Sequence, residues 1–267
     1  MLEGTPATGR PADPTIAELR EVTQPPSVRT RAGAEHWVAS AYLRDVSPYL
    51  TRVLLKAGFS ANGVTWLMIA CTVLASFSAA WWTVAGAVLT VVFIQLQMLL
   101  DCCDGEVARW RQTSSPKGVY LDRVGHYVAE CGISVALGIR AARELELGNV
   151  WVSLGLLLGL LVCLNKVEND LVHVSRHYAG LSQMQDTESV RKPAQGALRR
   201  ARQIARFVPF HRVFHSVELS LLILLATVAD LWLDGVATQW LLLGLCAAAA
   251  VTLVGHLAAV LSSPRLR

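Results

Sequence analysis

Six apolar runs, at residues 64–81, 83–100, 119–139, 150–164, 219–232 and 240–261, constrain this chain more than anything else in it. Crossing a hydrocarbon layer of about 30 Å takes about 20 residues of helix, and in lipid every backbone N–H and C=O must find a partner within protein. The runs at 150–164 and 219–232 are short for that and must continue into their polar flanks. With 53% hydrophobic and 16% charged residues, one polytopic domain is favoured over a soluble pair. The expectation is an all-α integral membrane protein with about six transmembrane helices, preceded by an N-terminal amphipathic interfacial helix.

Lysine and arginine set the orientation. They are dense before the first run (Arg29, Arg31, Arg44, Arg52, Lys56), between the second and third (Arg109, Arg111, Lys117), in the 166–212 loop, and in the tail (Arg265, Arg267). The other connections have none, apart from Arg140 and Arg143, which Glu144 and Glu146 offset. Both termini are therefore expected in the cytoplasm and the chain in the plasma membrane, with Trp81, Trp82, Trp151, Trp232 and Trp240 as an interfacial belt. The net charge of +4 follows the cytoplasmic loops, which fits attraction to anionic headgroups rather than to nucleic acid. Residues 1–35 carry Pro6, Pro11, Pro14, Pro25 and Pro26 with no sustained apolar face or signal-peptide core, and read as a disordered segment. Residues 36–57 mix Trp37, Val46, Tyr49, Val53 and Leu54 with Arg44, Asp45, Arg52 and Lys56, an amphipathic helix at the membrane surface that restarts at Pro48. A soluble helix is the plainer alternative.

The polar stretch from Asp101 to His126 interrupts this pattern. Gln112-Thr113-Ser114-Ser115-Pro116-Lys117-Gly118 is a cluster of turn formers between two apolar helices, so the stretch reads as a helical hairpin. With the turn near Ser114, Asp104 and Asp122 fall at nearly the same depth, and Asp101 falls opposite His126. Asp101 and Asp104 share one helix face, as do Asp122 and His126. One pocket with three carboxylates and an imidazole follows. Each intramembrane carboxylate costs roughly 2.5–3.5 kcal/mol and neighbouring ones repel, penalties that a divalent cation removes. Oxygen ligation favours Mg²⁺, with Mn²⁺ or Ca²⁺ as further fits. Gly118, Asp122, Gly125, Ala129 and Gly132 form a low-bulk stripe that lets another helix or a flat ligand come close.

These residues carry a resemblance. The pattern Asp101-x2-Asp104-Gly105-x2-Ala108-Arg109-x8-Gly118-x3-Asp122-x3 resembles the signature of the CDP-alcohol phosphotransferase family. Those membrane enzymes move a phosphoalcohol from a CDP-linked donor to an alcohol acceptor and release CMP. The resemblance implies two metal ions held by Asp101, Asp104 and Asp122. It implies donor contacts from Gly105, Ala108, Arg109, Ser115 and Gly118, and from Asn62 and Thr65 in the Asn-x-x-Thr element of Asn62-Gly63-Val64-Thr65. It covers 62–126, and relatives are commonly homodimers.

Where the family pattern ends in a fourth Asp, a metal ligand and the base for the acceptor hydroxyl, this chain has His126. Imidazole is a competent general base, so His126 is expected to take the acceptor's proton while Arg109 adds fixed positive charge. Whether His126 also ligates metal, and which alcohol it serves, stay open. Residues 58–267 would then form a six-helix catalytic domain for phospholipid or related lipid synthesis, with a CDP-linked lipid or alcohol as donor. In the 166–212 loop, Arg191, Lys192, Arg199, Arg200, Arg202 and Arg206 suit anionic lipid or an acceptor phosphate, Arg191 and Lys192 first for the latter. The cysteines lie mostly inside apolar runs with no CxxC pair and read as small hydrophobes, and Cys102 and Cys103 face away from the aspartates beside them, which disfavours thiolate ligation. A degenerate protein that binds a CDP-lipid without turnover is the alternative. A transporter is disfavoured because the polar cluster has no counterpart in the other half.

Overall fold

The structure, a computed structural model, describes residues 10–29, 36–142, 148–181 and 210–262, which form helices joined by short turns, with no strand among them. The helices are α1 (Ile16–Thr23), α2 (Pro26–Arg29), α3 (Arg44–Lys56), α4 (Ala61–Ala80), α5 (Val84–Arg111), α6 (Pro116–Ala141), α7 (Gly148–Tyr178), α8 (Ser216–Leu233) and α9 (Val236–Ser262). Of these, α4, α5, α7, α8 and α9 are long and apolar enough to cross a membrane. The chain is thus an all-α integral membrane protein. The expected sixth span is α6, which has spanning length at 26 residues but carries Asp122, Arg123, His126, Glu130 and Arg140. α7 runs well past the apolar 150–164 stretch into Lys166, Glu168 and Asp170, as a short run must.

Two compact units share the chain, one of Met1–Thr72 with Gln95–His126 and one of Val73–Ile94 with Tyr127–Arg267. The first is built on a core of Leu19, Leu54, Leu55, Val64, Met68, Leu100, Cys103, Val107 and Trp110. Within the stretch read from its composition as disordered, residues 10–29 form α1 and α2, with Leu19 and Thr23 fully buried. Thr15 starts α1 with a capping box, its hydroxyl accepting from the Glu18 N–H at 3.2 Å while its own N–H donates to Glu18 at 2.7 Å. The bonds from Thr15 hold the Glu18 carboxyl below its usual range. Asp13 likewise sits below the ordinary carboxylate range, because Arg52 and Lys56 of α3 reach it at 2.7 and 2.9 Å.

Pro48 does not restart the surface helix. It lies inside α3, preceded by a π-helical turn over Ala39–Leu43. Proline has no N–H, so the Arg44 carbonyl one turn back has no helical donor. Gln24 Nε2 donates to it instead at 2.7 Å. Tyr42, Val46, Tyr49 and Val53 form an exposed apolar stripe on this segment, as an interfacial helix presents.

In the second unit α9 packs on α7 and α8. Helices α6 and α7 touch at glycines: a Cβ on Gly138 would stand 2.5 Å from the Gly155 Cα, a gap only two glycines fill. Arg140, the one described arginine among the expected non-cytoplasmic connections, is buried and donates to the carbonyls of Ala79, Trp81 and Thr83 around the end of α4. Asp230 accepts from the Ala237 N–H at 2.7 Å and caps α9.

Candidate active site

The hairpin forms where the turn residues put it. α5 ends at Arg111, Gln112 takes a left-handed φ of 56°, and the Thr113 N–H closes back on the Ala108 carbonyl at 2.9 Å. α6 opens with Pro116 at its first position and Ser115 as cap, its hydroxyl accepting from the Gly118 N–H at 3.2 Å. With both ends fixed, the side chains meet at the depths that counting from the turn implies. His126 Nε2 lies 3.2 Å from Asp101 Oδ1 and 3.4 Å from Asp122 Oδ1. Asp101, Asp122 and His126 each offer a ligand atom within 4.8 Å of the others, a group able to hold a metal ion.

Asp104 stands outside that triad. It accepts a 2.7 Å hydrogen bond from the Thr65 hydroxyl of α4 while remaining in electrostatic range of Asp101 and Asp122. Thr65, expected to touch a donor, is almost fully buried and anchors Asp104. Asn62 borders the hairpin turn, its Oδ1 3.3 Å from where a Gly118 Cβ would be. The low-bulk stripe of α6 is filled by α4: a Cβ on Gly125 would lie 2.1 Å from the Met68 Cε, and one on Gly132 2.5 Å from the Ser76 Oγ. Gly105 makes room for the Arg109 guanidinium, which a Cβ there would meet at 3.0 Å. Ala108 is half-buried one turn beyond Asp104. Cys103 faces α3, its thiol 3.6 Å from the Ser47 carbonyl. Arg191 and Lys192 lie outside the described residues.

Two features escaped the sequence. Glu106 is fully buried, and its carboxyl accepts from the Ser47 hydroxyl, from Thr51 at 2.6 Å and from Gln24 at 2.8 Å. In the second unit α6 continues with Glu130, which Lys166 of α7 meets at 2.9 Å, while Tyr127 donates to Asp170 at 3.1 Å. A cavity of about 390 Å³ there, bordered by Trp82, Arg140, Thr227, Asp230 and Thr238, is lined by charged groups already used as helix caps.

The residues suit a hard cation on one further count. Asp122 Oδ1 is buried and forms no hydrogen bond, although His126 Nε2 stands 3.4 Å away, and a buried carboxylate oxygen short of donors favours positive charge beside it. The donor set is two carboxylates and an imidazole, with a third carboxylate in range.

No curated protein matches the chain. Residues 59–190 match the family model CDP-alcohol phosphatidyltransferase, a span that includes Asn62, the whole hairpin and α7. That stretch is a domain of the CDP-alcohol phosphatidyltransferase family, whose members transfer a phosphoalcohol group from a CDP-alcohol in lipid synthesis.

Proposed function

We propose that the chain transfers a phosphoalcohol from a CDP-linked donor to an alcohol acceptor at the cytoplasmic face of the plasma membrane, releasing CMP. The observation that carries this reading is the meeting of Asp101, Asp122 and His126 inside the hairpin, with one Asp122 oxygen buried and without a hydrogen bond. Asp101 and Asp122 would hold Mg²⁺ or Mn²⁺, with Asp104, fixed by Thr65, completing a two-ion site. Bound ions of that kind neutralise charge on a diphosphate and on its leaving group. The protein's own groups do the rest. Arg109, lying over Gly105, sets a permanent positive charge for the donor's phosphates. Asn62 and the Ser115 cap border Gly118, where the donor's nucleotide end fits. His126 receives the acceptor's hydroxyl proton, the imidazole taking the part that a carboxylate plays in the family pattern. Lipid tails leave the pocket sideways into the bilayer, which explains chemistry placed at membrane depth.

The test is CMP release by detergent-purified protein given Mg²⁺, CDP-diacylglycerol or another CDP-alcohol, and a panel of alcohols. Release that requires an acceptor is expected, abolished by His126→Ala and partly kept by His126→Asp. Donor binding without acceptor-dependent release would make the chain a nucleotide-lipid binder. Equal activity in wild type and His126→Ala would remove His126 from the chemistry.

A further inference from the structure

Five hydrogen bonds join residues 10–29 to the last two turns of α5. Arg10 Nη1 donates to the carbonyls of Arg109 at 3.2 Å and Trp110 at 3.0 Å. The Trp110 indole N–H donates to the Pro11 carbonyl at 3.1 Å, and Gln24 Nε2 to Glu106 at 2.8 Å. The fifth, like the Trp110 bond, has its donor on α5: Arg109 Nε donates to the Thr23 carbonyl at 2.6 Å.

That last bond has a clear physical origin. Thr23 ends α1, so its carbonyl is among those a helix leaves without an internal donor, and the partial negative charge of a helix C-terminus favours a guanidinium. Gln24, the next residue, is 5% exposed and tied on three sides. It donates to the Arg44 carbonyl at 2.7 Å and to Glu106, and it accepts from Arg29 Nε at 3.1 Å. The Thr23 carbonyl is thereby held still, and with it a side chain that would otherwise sample many rotamers. A flexible arginine ordered before its ligand arrives spares the complex that entropy loss.

We propose that residues 10–29 are a working part of the donor site: the end of α1, locked by Gln24, pre-organises Arg109 for the anionic diphosphate of a CDP-linked donor. Gln24 is then a positioning residue. This rests on the transferase reading above and adds to it a segment outside the matched residues 59–190.

A double-mutant cycle on the full chain tests it. Wild type, Gln24→Ala, Arg109→Ala and the double variant are compared for donor KM at saturating acceptor, with acceptor KM and Tm measured alongside. Gln24→Ala should raise donor KM roughly three- to thirty-fold with acceptor KM unchanged, and should add nothing once Arg109 is gone. Should Gln24→Ala not fold, Arg10→Gln loosens the same segment from its other end and enters the same cycle with the same expectation. Additive effects, or donor and acceptor KM rising together in step with falling Tm, overturn the proposal alone. A wild-type chain that binds no CDP-linked donor overturns the transferase reading, and this inference falls with it.

Discussion

Removing the Glu106 carboxyl is the sharpest test of how the first unit is held together. The side chain is fully buried on α5 and accepts from Ser47 and Thr51 of α3 and from Gln24 after α1, while Arg44 Nη1 stands 3.7 Å away. Glu106→Ala leaves two hydroxyls, an amide and a nearby guanidinium facing an apolar gap. Each buried polar group stripped of its partner costs about 1–3 kcal/mol, and breaking a buried charged pair about 3–5 kcal/mol. Because the four groups can partly rearrange onto each other, about 3–5 kcal/mol for the whole change is the reasonable figure, a large share of the 5–15 kcal/mol typical of a folded protein. At roughly 2–4 °C per kcal/mol for a chain of this size, Tm in detergent should fall by about 6–20 °C. Glu106→Gln, which keeps shape and acceptor oxygen but sets an NH₂ toward the Gln24 amide, should lose less. Glu21→Ala, at an exposed position on α1, should stay within about 0.5 kcal/mol of wild type. A Glu106→Ala protein that melts with Glu21→Ala would show that the network does not bind these helices together.

Other consequences follow from single contacts. Thr65→Val removes the 2.7 Å bond to Asp104 without changing side-chain size, and should weaken metal-dependent turnover about 10- to 100-fold while Tm moves little. Gly138→Ala pushes a methyl onto the Gly155 backbone, whereas Gly125→Ala meets the movable end of Met68. The first should therefore cost at the upper end of about 1–3 kcal/mol and the second at the lower end, read by thermal unfolding. The depressed Asp13 carboxyl stabilises its contacts to Arg52 and Lys56 above the ordinary value of 3.8, and that contribution is lost as pH falls through the lower folded value. Hydrogen exchange of α1 should accordingly rise at acid pH in wild type, and already be raised at neutral pH in Asp13→Asn.

Much of the site was legible because it is local. Turn formers at 112–118 fix the hairpin, and counting residues outward from them puts His126 opposite Asp101, where the structure has the pair 3.2 Å apart. The i,i+3 spacing also set Asp104 on the Asp101 face, but no local rule reveals that Thr65, 39 residues earlier, draws its carboxyl away. The glycine stripe of α6 was visible and its occupant was not, since a small-residue face fits a ligand as well as the helix α4 that fills it. The helical 10–29 segment had a readable start in Thr15-Ile16-Ala17-Glu18, a capping box. Its prolines outweighed that signal, and its main anchor, Glu106, lies 82 residues from Gln24 in sequence. Pro48 misled for a similar reason: the carbonyl it orphans is satisfied by Gln24, a partner no helix pattern contains.

Metal binding at the hairpin tests the central claim most directly, through Mn²⁺ titration of the detergent-purified chain followed by electron paramagnetic resonance. Wild type should bind Mn²⁺ and release it to Mg²⁺, and Asp101→Asn and Asp122→Asn should each lose that binding, while Glu168→Gln in α7 keeps it. Binding that survives both aspartate changes, or none in wild type, would contradict a cation site built from Asp101, Asp122 and His126.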